Sequence, residues 1–211
     1  MVPKLEKRRA LRGLALNMAP MSVLILMNHA TLSLELGHND KARADYSQVI
    51  ELEPHNAEAL LMRAYIYMQQ RDYKFARLDY DTLLKVDPQN YSARLGVATL
   101  CQREVRYDEA LVVLDGMLAD KGGTRPYTTG ELATVRVARA GVELDMLKPD
   151  QALLDLDEAI RLDPRQSEAY LMRGRVHLML KKKTLARRDL EKAVSLGVPQ
   201  SEVRELMNQC K

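Results

Sequence analysis

The chain has 211 residues, 46% hydrophobic and 29% charged, with 32 basic and 29 acidic side chains and a net charge of +3. Such composition excludes a disordered chain, and the interleaving of acids with bases excludes the concentrated basic face of a nucleic-acid binder. Two cysteines, Cys101 and Cys210, exclude a disulfide framework of the secreted kind. Nine Tyr, one Phe and no Trp leave the apolar content to Leu, Ala and Met, which favour helix, and the alternation of half-buried strands is hard to find. The expected class is all-α.

Taken in chain order, the first element is a basic start followed by the apolar run from Met18 to Met27. A signal peptide would look similar, but Asn17 and Pro20 interrupt the run, no clean cleavage site ends it, and it is too short to span a bilayer. The prolines give a better account. Pro20, Pro54 and Pro88 recur every 34 residues, in the contexts ALNMAP, IELEPHN and LKVDPQN. Pro164, in IRLDPRQ, keeps the phase once eight extra residues are allowed, and KGGTRPYTTGEL, rich in Gly, Thr and Pro, is the natural place for an insertion near 122–132. The same eight residues explain why Glu58–Arg63 (EALLMR) returns as Glu168–Arg173 (EAYLMR) at a spacing of 110.

Each period reads as two helices. Ala42, Ala76, Ala110, Ala152 and Ala186 share one register of the second helix, with Tyr46, Tyr80, Leu114, Leu156 and Leu190 one turn later. A small residue followed by a large one suits close helix contact. Asp40, Asp72, Asp108 and Asp150 stand near the start of four of these second helices, where a carboxylate can cap or favour the positive dipole end, and Pro149 suits a first helical position. The proline after each second helix stops it.

A 34-residue helix-turn-helix period with these positions resembles the tetratricopeptide repeat family. The matching residues include the first-helix small positions Ala64, Ala98, Ala140 and Gly174, the second-helix Ala and Tyr/Leu positions, and Pro54, Pro88 and Pro164. The first-helix Trp of the family is missing, its slots holding Leu26, Leu60, Arg94, Arg136 and Tyr170. The Tyr slot is kept by Tyr67 and replaced by Cys101, Glu143 and His177, so the third and fourth units depart furthest and a loose junction is expected between them.

The resemblance implies a right-handed α-solenoid of antiparallel helix pairs. Residues 1–20 would be a half-repeat or capping helix, 21–199 five helix pairs, and 200–211 a C-terminal cap begun by proline and Ser201. It also implies a non-enzymatic scaffold that binds a segment of a partner protein in a concave groove lined by first helices. Carried over, the groove positions are Met27 and Thr31, then Leu61, Tyr65 and Met68, then Leu95, Thr99 and Arg103, and finally Leu171 and Arg175. Val137, Gly141, Met172 and Met179 occupy related positions, with Met62 and Met172 the readiest to turn into the core. The Lys/Asn clamp by which some relatives hold chaperone C-termini is absent, since the corresponding pairs are Met27/Thr31, Leu61/Tyr65 and Leu95/Thr99. A structural spacer or self-associating fragment of a longer repeat protein is the alternative.

Chemistry is sparse. His29, His38, His55 and His177 lie far apart with no metal-binding spacing, Cys101 reads as a packed thiol, and no glycine-rich strand-to-helix loop cradles phosphate. Neither cofactor, nucleic acid nor membrane span is expected. Glu51, Glu53, Asp155 and Asp157 read as solvated carboxylates of outer helices, and Lys181–Lys183 with Arg187 and Arg188 form the one concentrated positive patch, fit for an acidic partner. The thiols lean toward the cytoplasm, an upstream export signal aside.

Overall fold

The computed structural model describes residues 22–119 and 126–210. These form helices and turns, with no strand among the described residues. The chain divides into two compact units, one running to Ala93 and the other from Arg94 onward.

In the first unit, α1 is helical over residues 22–35, followed by α2 (Asn39–Leu52), α3 (Ala57–Gln69) and α4 (Tyr73–Val86). Its core joins Ala30 of α1, Ala42, Tyr46 and Val49 of α2, and Ala59 and Ile66 of α3, all fully buried, with Met27 and Met62 packed against them. Helix α5 (Tyr91–Arg103) begins at the end of this unit and runs into the next.

The second unit continues with α6 (Tyr107–Ala119), α7 (Thr129–Asp145), α8 (Pro149–Leu162), α9 (Ser167–Met179), α10 (Lys183–Ser195) and α11 (Gln200–Gln209). Helix α7 packs on α6 and α8, α9 on α8 and α10, and α11 on α9 and α10. Each expected small-then-large pair is interior: the five second-helix alanines are 0% exposed and their Tyr/Leu partners no more than 7%.

Helix ends follow from local chemistry. The residue before each proline, Glu53, Asp87 or Asp163, leaves helical geometry with ψ between 85° and 96°, as the proline ring demands. Asn56 caps α3 by accepting from the Ala59 amide at 3.0 Å, Asn90 accepts from Ala93 at 3.0 Å, and Thr128 with Glu131 forms a capping box on α7. Side-chain caps therefore open the first helices α3, α5 and α7, while α9 has none at Gln166. The second helices α2, α4 and α8 have none: Asp72 stands at an N-cap without capping, while Asp40 and Asp150 lie within the first turn, where a carboxylate favours the positive dipole end.

Every first helix ends in the same turn. His38, Asp72, Arg106, Lys148 and Lys182 each donate an amide hydrogen bond of 2.7–2.8 Å to the carbonyl five residues back. The residue just before each, Gly37, Arg71, Val105, Leu147 or Lys181, is left-handed with φ between 59° and 75°. This is the Schellman arrangement, in which glycine is unstrained and a β-branched valine is not.

The expected half-repeat at 1–20 lies outside the described residues, as does 122–125 of the expected insertion. The rest of that insertion is not all loop, because α7 already begins at Thr129. The loose junction is also corrected. Arg139 of α7 donates to Asp115 of α6 at 2.6 Å, and Leu114 and Met117 beneath are 0% exposed.

Candidate partner-binding faces

Arginines on the first helices organise both units. Arg63 of α3 holds Asp79 of α4 through Nε–Oδ2 at 2.9 Å and Nη2–Oδ1 at 2.6 Å. Arg139 holds Asp155 the same way at 2.6 and 2.6 Å, and Arg173 holds Asp189 at 2.8 and 2.7 Å. Asp79, Asp155 and Asp189 are 2–4% exposed, so Asp155 is not the solvated carboxylate its sequence context implied. The remaining Nη1 of each arginine reaches back to the preceding second helix, to Ser47 at 3.1 Å, Asp115 at 2.6 Å and Asp157 at 2.6 Å. Three helices are thereby tied at one guanidinium. Carboxylate hydrogen bonds push the pKa of Arg63, Arg139 and Arg173 up against the opposing cost of burial.

The first pair uses His29 and Asp45, 2.6 Å apart, at the same two positions, and the third pair has Val97 and Val113 there. The vacant tryptophan slots are also used: Arg136 donates to Asp155 at 2.8 Å and Arg94 to the Tyr127 hydroxyl at 3.1 Å.

With the arginines turned inward, the expected binding residues divide. In the first unit Tyr65 is 50% exposed and touches no described residue by hydrogen bond or ring contact. Leu61 and Met68, on the same face of α3, are half-buried. Thr31 of α1 is exposed, its hydroxyl donating to the Met27 carbonyl at 2.9 Å, while Met27 packs on the core. In the second unit Leu95 and Thr99 are half-buried, Arg103 and Arg175 exposed, and Thr99 donates to the Leu95 carbonyl at 2.9 Å. Leu171 departs from expectation. It is 2% exposed because α11 covers it, together with Val198, Val203 and Cys210. Val137 is likewise interior, and Met172 packs on the core as Met62 does.

The replaced Tyr slots are chemically uneven. Tyr67 stacks on Phe75 with ring centroids 5.3 Å apart. Cys101 is buried. Glu143 is 8% exposed, its Oε2 has no hydrogen-bond partner, and burial, seconded by Asp155, pushes its pKa up to about 7. Burial also pulls the His177 imidazole below its ordinary pKa, against the pull of Asp189 at 3.6 Å.

Among the described residues no group of three or more His, Cys, Asp or Glu stands close enough to hold a metal ion, and no helix is long and apolar enough to cross a membrane.

The helix pairs, their shared turns and the alanine register define a helical repeat scaffold. Residues 27–80, 62–123 and 137–197 match the tetratricopeptide repeat family, which covers more than half of the chain, and the chain belongs to that family. No curated protein sequence matches it. Among solved structures it is similar to a tetratricopeptide repeat protein from Parabacteroides merdae ATCC 43184, at 27% identity and a TM-score of 0.75, over 98% of this chain and 80% of that one. PilF of Pseudomonas aeruginosa shares the fold at 19% identity and a TM-score of 0.70, over 91% and 90% of the two chains. So does YrrB, a tetratricopeptide repeat protein with an unusual peptide-binding site, at 19% identity and a TM-score of 0.51, over 82% and 84%. The fold is in general a protein–protein interaction scaffold, and its members are typically non-enzymatic.

Proposed function

We propose that this chain binds a segment of a partner protein on the exposed faces of its first helices, with Tyr65 as the anchor in the first unit. One observation carries the reading: a half-exposed tyrosine with no described partner, on a face shared with half-buried Leu61 and Met68. Burying such a ring against a ligand supplies large contact area at low conformational cost, which is why tyrosine anchors so many interfaces. Flanking methionine adapts to the shape of what is bound. The presence of a peptide-binding site in YrrB, which shares the fold, is consistent with a peptide ligand. Arg103 and Arg175, both exposed, offer charged contacts on first helices of the second unit.

Panning a random peptide library against the purified chain tests the reading. Enriched peptides that lose affinity with Tyr65→Ala, but keep it with Leu154→Ala on the outer helix α8, support it. Peptides that bind Tyr65→Ala as well as the wild type overturn it, and an absence of enrichment favours a spacer.

A further inference from the structure

The last helix pair carries a cleft where the first unit has a stacked aromatic pair at the corresponding positions. In the α3/α4 pair, Tyr67 stacks on Phe75, and the Arg63 guanidinium that holds Asp79 lies 6.0 Å from the Tyr67 ring centre. The corresponding residues 110 positions later are His177 and Leu185, and between α9 and α10 a cleft of about 600 Å³ opens beside Arg173 and Asp189. Two more positions change with it: where α4 has Leu78 and Thr82, α10 has Arg188 and Lys192, both on the cleft wall. The α7/α8 pair has Leu154 and Glu158 there, so the coupling of missing aromatic fill with added cations belongs to the last pair.

We propose that this cleft is a second docking site, distinct from the first-helix faces, for an acidic segment of a partner protein that inserts one aromatic side chain. Tyr170 and Leu185 supply the apolar walls for the ring. His177 lines the cleft, its Nδ1 shielded from solvent and without a hydrogen-bond partner. Arg188 and Lys192 are exposed and pair with no described carboxylate, and Lys181, Lys182 and Lys183 extend the positive field along the turn into α10. Of the two carboxylates on the wall, Asp189 is taken by Arg173, leaving Glu191 alone to oppose an acidic ligand. Local charge therefore favours an anionic partner although the whole chain is nearly neutral.

The test uses the full chain and a short fluorescein-labelled peptide of aspartate and glutamate with one central phenylalanine, read by fluorescence anisotropy. Binding should weaken steeply with added salt and fall about tenfold or more with Arg188→Glu/Lys192→Glu, two surface changes that leave melting unchanged. His177→Tyr/Leu185→Phe restores the aromatic pair of the first unit and leaves the cations in place. It should abolish the contribution of the phenylalanine, so that the phenylalanine and alanine peptides bind alike, while the melting temperature holds or rises. Tyr65→Ala should have no effect. Failure of the acidic peptide to bind overturns the proposal, as does unchanged discrimination in the filled variant. Preferential binding of a single-stranded oligonucleotide through the same cations overturns it too.

Discussion

Arg63 grips Asp79 through two parallel hydrogen bonds, and that grip is what the returning phrase Glu58–Arg63 encodes. Its second copy ends on Arg173, which grips Asp189 in the same geometry. Because Asp79 is 2% exposed, removing it strands a guanidinium in a poorly solvated place. Asp79→Ala should cost about 3 kcal/mol or more in urea denaturation. Replacing both partners by valine, as the third pair does at Val97 and Val113, should cost markedly less than the single change. A double-valine variant no more stable than Asp79→Ala would show the pair to be a source of stability in itself.

Val105 adopts φ 63° in the turn after α5 while 67% exposed, so it bears backbone strain with little packing in return. The first such turn uses Gly37. Val105→Gly should stabilise the protein by about 1 kcal/mol, relief of left-handed strain outweighing the added freedom of the unfolded chain. Thermal melting would register a rise of about 2–4 °C, and a fall would show that the side chain does more than tolerate its place.

Glu143 predicts a pH dependence. Its folded pKa stands at about 7, raised above the ordinary value of 4.5 by burial first and by Asp155 and Asp115 next, with Arg139 and Lys148 opposing. Between those two values the folded state holds a proton that the unfolded state has lost. Stability therefore falls as pH rises from about 4.5 to about 7 and levels off above, by an amount on the order of 3 kcal/mol. Glu143→Gln should flatten that part of the profile and exceed the wild type at pH 8 in urea denaturation. Parallel profiles for the two proteins would remove Glu143 as the cause.

Tyr65 and Leu171 should separate binding from folding. Tyr65→Ala should change stability by less than about 1 kcal/mol and weaken peptide binding about tenfold or more. Leu171→Ala, beneath α11, should cost about 2–4 kcal/mol and leave affinity untouched. Equilibrium unfolding and peptide titration on the same two variants decide both points.

The repeat was plain in the sequence because apolar and proline positions answer directly to helix geometry. Ala76 and Tyr80 are interior as their spacing implies, and Pro88 closes α4. The arginine–aspartate pairs were also written there, at a constant separation of 16 residues, but a charged side chain reads as solvated until the facing helix is known. Asp155 illustrates this. Leu171 was illegible for another reason: its register is the same as that of Leu61, and its burial rests on how closely α11 docks, which no spacing reveals. The turn strain at Val105 left no signature beyond its alignment with Gly37.

The backward and forward reach of each arginine bears on how such a chain can change its length. Arg139 holds Asp115 behind it and Asp155 ahead, and Arg173 holds Asp157 and Asp189 in the same sense. Loss of one whole period after Arg139 would bring Asp189 to the place that Asp155 now occupies, and every remaining guanidinium would still be held on both sides. Loss of part of a period between an arginine and the aspartate ahead of it would leave a buried charge facing nothing, whereas the eight extra residues between Asp115 and Arg139 are carried with that contact intact. The rungs thus act as a reading frame within each helix pair, and a change of length is tolerated only where it leaves the arginine and its aspartate in register.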